Sequence, residues 1–137
     1  MNDFSSSLKI AAGGLQAQSA RMRVIAENLA NADSTAKTPG GDPYRRRIPT
    51  FSAVFSRELD AFNVKSGGVK LDNSDFQTRY EPGHPAADKA GYVRYPNVNS
   101  LIELADMREA QRTYEANLNI IKSSRAMFGQ TLDILRA

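Results

Sequence analysis

The 137-residue chain has no cysteine, no tryptophan and a single histidine, His84. Without cysteine there is no disulfide, no thiol nucleophile and no thiolate metal site, and the chain can cross an oxidising compartment without mispaired bonds. One histidine cannot build a two- or three-histidine metal centre. Aromatic residues are scarce at 8%, leaving few large anchors for a core that, at this length, buries about 68% of the unfolded surface when compact. Excess charge is also missing: 18 basic against 15 acidic residues leave +3, too little to imply nucleic-acid or membrane binding. No apolar run approaches the ~20 residues that span a bilayer. The start, Met1-Asn2-Asp3-Phe4-Ser5-Ser6-Ser7, lacks the basic region of a signal peptide, and Lys9, Gly13, Gly14 and Gln16 break up the apolar residues beyond it. The expectation is a cytosolic chain, or one exported without a cleaved signal.

Proline is absent from both ends. All six prolines lie between Pro39 and Pro96, with six of the nine glycines in the same stretch, so two unbroken ends flank a broken middle. This predicts an N-terminal helix in 1–32, a loop and small β region in 33–99 and a C-terminal helix in 100–137, a mainly α chain with a small β element. The N-terminal end repeats in heptads: Met1, Leu8, Leu15, Met22 and Leu29 in one row, Phe4, Ala11, Gln18 and Ile25 in the other. Leu104, Gln111, Leu118, Arg125 and Leu132, with Met107, Tyr114, Ile121, Phe128 and Leu135, repeat the design at the C-terminal end. A 3.5-residue period sustained over four heptads predicts a coiled-coil-like pairing of the two helices along these rows. Asn2 or Asp3 suits the first cap, Asn31 a left-handed C-terminal residue, and Ser100 with Glu103 a capping box. At 1.5 Å per residue the helices are about 40 and 55 Å long, against about 30 Å for a compact domain of this size.

A second apolar row lies two residues after Leu8, Leu15 and Met22 on the first helix, at Ile10, Ala17 and Val24, and after Leu118, Arg125 and Leu132 on the second, at Ile120, Met127 and Ile134. It falls on the side nearly opposite the seam, which predicts cover by a helix of another subunit. Gly13-Gly14 inside the first helix costs about 1 kcal/mol per glycine relative to alanine and predicts either a kink or an unusually close neighbour. In the middle, Gly67-Gly68 is placed to turn a hairpin between 62–65 and 69–71. Residues 76–80 alternate as a strand stopped by Glu81-Pro82-Gly83, and 44–55 read as an edge strand interrupted by Pro49.

No chemistry assembles from these residues. Asp72, Asp75 and Glu81 read as isolated, solvated turn carboxylates, and His84 sits in a loop between Gly83 and Pro85. Neither a nucleophile elbow nor a phosphate-binding glycine loop occurs, so no catalytic, cofactor or metal site is expected. Arg45-Arg46-Arg47 is the one charge cluster. Inter-subunit salt bridges are the leading reading for it, ahead of a solvated face and of a nucleic-acid patch.

Asn28-Leu29-Ala30-Asn31, followed by a Gly/Pro-containing loop into Tyr44-Arg45-Arg46, resembles the bacterial flagellar axial proteins, the rod and hook family. Tyr80-Glu81-Pro82-Gly83-His84-Pro85 and Gly91-Tyr92-Val93-Arg94-Tyr95-Pro96-Asn97-Val98 narrow the likeness to subunits of the proximal rod, and Tyr114-Glu115-Ala116-Asn117 adds to it. The likeness spans the whole chain. It implies a non-enzymatic subunit whose terminal helices form the family's D0 domain. It also implies export through the flagellar type III apparatus, with the uncleaved N-terminal region as signal, and polymerisation in the periplasmic rod of the basal body. The partners implied are other copies of itself, other rod proteins, the ring–rod adaptor and the membrane-ring protein, with neither nucleic acid nor direct membrane insertion. A different rod or hook protein, or a basic-arm nucleic-acid-binding coiled coil, is the alternative.

Overall fold

A computed structural model describes residues 2–137, with side chains from Phe4 onward. The seam place of Met1 and the capping side chains of Asn2 and Asp3 lie outside what is described. Helix α1 spans Asn2–Ala30 and α2 spans Ser100–Arg136. Between them lie strands β1 (Arg47–Ser56), β2 (Ala61–Leu71), β3 (Gln77–Tyr80) and β4 (Tyr92–Tyr95), paired as two separate two-stranded sheets, β1 with β2 and β3 with β4. The long helices and small β middle match the expected class. Among the described residues no helix is long and apolar enough to cross a membrane.

The helix ends differ from expectation. Asn99, one residue earlier than read, caps α2: its Oδ1 accepts the N–H groups of Leu101 and Ile102 at 3.0 and 3.4 Å. Glu103 is thereby released from a capping box. Asn31 does not take the left-handed conformation, since Asp60 is the non-glycine residue with positive φ. Its side-chain amide instead donates to the Glu27 carbonyl at 2.8 Å, which also accepts the Asn31 N–H at 3.2 Å.

The chain divides into two compact units, each drawing on both helices. One comprises α1 through Met22, the hairpin from Thr50 to Gly68, and α2 from Arg108. Here ascending residues of α1 meet descending residues of α2. The Phe4 ring stacks on Phe128 at 5.0 Å, Gly14 faces Asn117, and Arg21 pairs with Glu109 at 3.4 Å. α1 runs unbroken through Gly13-Gly14. A Cβ at Gly13 would overlap the Asn63 amide, and one at Gly14 would come within 2.9 Å of the Asn117 amide. The glycines are there for close approach within the chain. The hairpin turns at residues 57–60, not at Gly67-Gly68: the Leu59 N–H donates to the Ser56 carbonyl at 3.2 Å and Asp60 follows with φ 46°. A type I-like turn followed by a left-handed residue joins strands without a glycine pair. Gly68, at φ 94°, instead lies inside β2, where its carbonyl accepts the Thr50 hydroxyl.

The other unit comprises 23–49 and 69–107. β3 and β4 pair antiparallel from Gln77 opposite Tyr95 to Tyr80 opposite Tyr92. Val93 and Tyr95 pack with Ala86 as its core, and Pro96 and Val98 are buried beside it. The loop 81–91 is knitted by Glu81 N–H to the Gly91 carbonyl, His84 N–H to the Glu81 carbonyl and Asp88 N–H to the Tyr92 carbonyl. Gly91, at φ 87° and against the Tyr80 ring and Pro82, has no room for a side chain.

Two of the face assignments need correction. Ile25 of the predicted seam is buried, and Phe4, Leu8, Leu15, Met22, Leu29, Met107, Tyr114, Leu118 and Ile121 are half-buried. Leu104, Leu132 and Leu135 are exposed, as is one side of Phe128. The covered positions of α2 are Glu103 and Ala110, with Asn117 and Ser124 half-buried at the same heptad spacing, a face rotated by one residue from the leucine row. The cause lies at the start of the helix, where Glu103 is drawn inward by cationic and amide partners. On α1 the far row is not free either: Ala17 and Val24 are buried and Ile10 is half-buried. In the first unit the hairpin takes this side, with Asn63 on Gly13 and with Leu59 and Ala61 beside Ile10.

Candidate functional site

Two buried polar side chains organise the second unit: Asn28, 0% exposed near the end of α1, and Glu103, 1% exposed in the first turn of α2. A buried amide or carboxylate is costly unless its hydrogen-bonding capacity is used. Asn28 uses all of it. Its Oδ1 accepts the Arg47 N–H and the Tyr44 hydroxyl, each at 2.9 Å. Its Nδ2 donates to the Arg47 carbonyl at 2.8 Å and to Glu103 Oε2 at 3.2 Å. By binding both backbone groups of one residue, the amide stands in for a neighbouring strand.

Asn97 holds the same segment from the other side. Its Oδ1 accepts the Arg46 N–H at 2.7 Å, and its Nδ2 donates to the carbonyls of Asp72 and Ser74 at 3.0 and 3.2 Å. Consecutive residues of an extended segment point in opposite directions, so Arg46 and Arg47 are each served by one asparagine. The same alternation sends the Arg46 side chain inward. Its Nε donates to Glu103 Oε1 at 2.5 Å, and its terminal nitrogens pair with Asp72 at 3.4 Å and Asp106 at 3.9 Å. Burial works against the guanidinium charge, but the hydrogen bonds and charges of Glu103 and Asp72 outweigh it and raise its pKa. Asp72 is held below its ordinary value, first by the Ser74 N–H and hydroxyl and then by Arg46. Burial raises the Tyr44 phenol, partly offset by Arg47.

The arginine cluster, expected to form inter-subunit salt bridges, has partners within the chain. Arg45 donates to the Asp72 and Ser74 carbonyls and lies 4.3 Å from the Phe76 ring centroid; Arg47 pairs with Glu27 at 3.0 Å. With Arg46 on Glu103, all three serve this chain's own fold, because a partly buried guanidinium is stable only beside acceptors that replace its water. Asp72, read as a solvated turn residue, belongs to the same cluster. Glu103 was missed because a capping role explained it. The available signal was a lone acid at the inward position of Leu101-Ile102-Glu103-Leu104, with Arg46 facing away from its two neighbours. Glu81 accepts the Tyr95 hydroxyl at 3.1 Å, and His84 Nδ1 accepts the Ala86 N–H. Among the described residues no three His, Asp or Glu side chains gather as a metal site. The network positions backbone; its members are saturated by one another.

Uncovered apolar groups flank the network, with Leu101 and Ile102 79% and 55% exposed, and continue outside its unit. On α2, Ile120, Met127 and Ile134 are 48%, 67% and 76% exposed, and on the hairpin Phe55, Phe62 and Val64 face outward.

The family profile described as flagella basal body rod protein matches residues 8–36, and that of the flagellar basal body rod FlgEFG protein C-terminal region matches 89–134. The flagellar basal-body rod protein FlgC of Agrobacterium fabrum is 48% identical over 137 residues, covering 100% of this chain and 99% of its own. The chain belongs to the FlgC family of flagellar rod proteins. The FlgC proteins of Borreliella burgdorferi and Bacillus subtilis agree, at 39% and 36% identity over 96% and 93% of this chain and 97% and 95% of their own. FlgC is a structural protein of the flagellum, not an enzyme family, and this chain is a structural rod subunit that assembles with other rod and flagellar proteins. The geometry gives the motif residues that suggested this family their physical work. Asn28 and Tyr44 clamp the Arg46–Arg47 backbone with Asn97, while Val93, Pro96 and Val98 fill the small core. Asn28 and Glu103, joined by a hydrogen bond, fall one in each of the two matched segments.

Proposed function

We propose that this FlgC-family chain is a subunit of the proximal rod, built into a helical tube that transmits torque. Residues 1–32 and 100–137 supply the inner helical layer as a D0 domain with a coiled-coil-like seam, and 33–99 fills the layer outside it. The seam rests on the buried Ile25 and the half-buried Leu8, Leu15, Met22, Met107, Tyr114, Leu118 and Ile121. The subunit contact rests on Ile120, Met127 and Ile134. The chain leaves the cytoplasm through the type III export apparatus with its N-terminal region uncleaved and polymerises in the periplasm, next to the ring–rod adaptor and the membrane-ring protein. It neither inserts into the membrane nor binds nucleic acid; Arg45, Arg46 and Arg47 are already engaged by the chain itself.

The observation carrying this reading is the exposed apolar row of α2 in a rod-family chain, since a surface of this kind on a filament subunit is matched by a neighbour. Changing Ile120 and Ile134 to Asp tests it in a strain lacking the native chain. The expected result is a soluble, exported protein with neither rods nor motility. Wild-type rods would refute the contact, and failure of the unmodified chain to restore rods would refute the function.

A further inference from the structure

The heptad rows along α1 and α2 repeat too regularly to fix how far one helix is slid along the other. A slide of seven residues brings Leu15 to the place of Leu8, or Ile121 to the place of Tyr114, one apolar side chain for another. Burial of apolar surface is non-directional and separates such registers only weakly.

Small and polar groups do separate them. In the unit that holds the start of α1, Gly14 lies against the Asn117 carboxamide, which a Cβ at Gly14 would approach to 2.9 Å. In the other unit the buried Asn28 donates to Glu103 Oε2 at 3.2 Å. Both side chains also grip one strip of backbone, Glu103 through the Arg46 Nε and Asn28 through the Arg47 N–H. On each helix the two contacts stand two heptads apart, Gly14 before Asn28 and Glu103 before Asn117. Each unit therefore carries its own contact, and both specify the same register.

A slide of one heptad destroys both. Asn28 would then face Ala110 or pass the start of α2, and Asn117 would meet Arg21 or Ser7 in place of Gly14. The buried amide and carboxylate would lose each other, a penalty that the leucine rows do not impose. A buried polar pair fixes the register of a heptad seam for this reason.

We propose that Asn28–Glu103 and Gly14–Asn117 are register keys, positioning residues that hold α1 and α2 at the one axial offset the leucine rows leave open. The proposal takes its purpose from the rod-subunit reading, since subunits repeated along a tube must present their helix ends at one height. The keys themselves belong to the single chain, so they are tested without rods.

The chain has no cysteine, so introduced thiols report register in the isolated protein. Phe4 stacks on Phe128; Phe4→Cys with Phe128→Cys is the pair in register, and Ala11→Cys with Phe128→Cys is one heptad out. Under mild oxidation the first pair is expected to close and the second to stay open. Gly14→Asn sets carboxamide against carboxamide and should lower closure of the first pair at least about tenfold. Adding Asn117→Gly moves the key to the other helix and should restore closure to within about twofold. With both keys erased, by Gly14→Ala, Asn117→Ala, Asn28→Leu and Glu103→Leu, the out-of-register pair should close at least about tenfold more than before, with helical circular dichroism kept. The proposal is overturned if the in-register pair stays open in the otherwise unaltered chain, or if the swap does not restore it. It is equally overturned if the erased chain closes only the in-register pair, or loses its helix, which would make the keys part of folding alone. Failure of the unmodified chain to restore rods would refute the rod-subunit function and leave the keys standing.

Discussion

In the unit of 23–49 and 69–107, Asn28 and Glu103 are buried with their polar atoms engaged, Arg46 reaches three carboxylates, and Val93 is sealed in a core. In the unit of α1 through Met22, the hairpin and α2 from Arg108, Gln18 and Asn63 each bury an oxygen without a partner, while Phe62, Met127 and Ile134 face outward. The first unit pairs its buried polar groups within one chain, while Leu101, Ile102 and Tyr80 on its surface are exposed. The second leaves both kinds of group unmet, as expected for a surface completed by neighbours. A rod subunit needs both: a clamp that sets the path of its own backbone, and apolar faces available to the next subunit.

The difference can be broken at its strongest point. Arg46→Ala leaves Glu103 buried beside Asn28 with its main cation gone, and it should cost about 3 kcal/mol in chemical denaturation of the isolated chain. A loss below about 1 kcal/mol would mean the clamp is not what stabilises that unit. Hydrogen exchange sharpens the comparison next. Amides of β3, β4 and the first turns of α2 should exchange roughly a hundredfold more slowly than those of 4–20 and 115–135, since opening free energies follow local burial. Uniform protection would remove the distinction between the units. Val93→Ala, in the sealed core, should cost roughly 2 kcal/mol. By contrast, Met127→Asp on the open face should change the stability of the isolated chain by less than about 0.5 kcal/mol, read from the same melts.

The smallest effect is a pH dependence. Burial raises the Tyr44 and Tyr95 phenols above the ordinary value, Tyr95 with the added hydrogen bond to Glu81. A raised acid keeps its proton longer when folded, so its contribution is fully present below the unfolded pKa of about 10 and is lost as pH rises through the folded one. Stability should fall with pH above about 10, and Tyr44→Phe with Tyr95→Phe should flatten that fall in denaturation midpoints.

Much of this was legible in residue order. The proline-free ends run as helices from Asn2 to Ala30 and from Ser100 to Arg136, and the strand read at 76–80 forms as Gln77–Tyr80. The hairpin turn was not legible, because Gly67-Gly68 is a stronger local turn signal than Arg57-Glu58-Leu59-Asp60, and the pairing of β1 with β2 overrode it. β4 was not read as a strand, because its four residues look like one only beside β3.

What the sequence by itself determined is periodicity, punctuation and exclusion: two heptad helices, a broken middle, no thiol chemistry, and a family signature spread over the whole length. Tertiary structure decided which way each helix faces. A heptad pattern sets the spacing of apolar residues but not the rotation of the helix, and one residue is about 100° of it. On α2 that residue is Glu103 in place of Leu104, chosen by Asn28, 75 positions away, and by Arg46, 57 positions away. Contacts at such separations leave no mark in local spacing, so the clamp and the hairpin's outward apolar face exist only once the chain has folded.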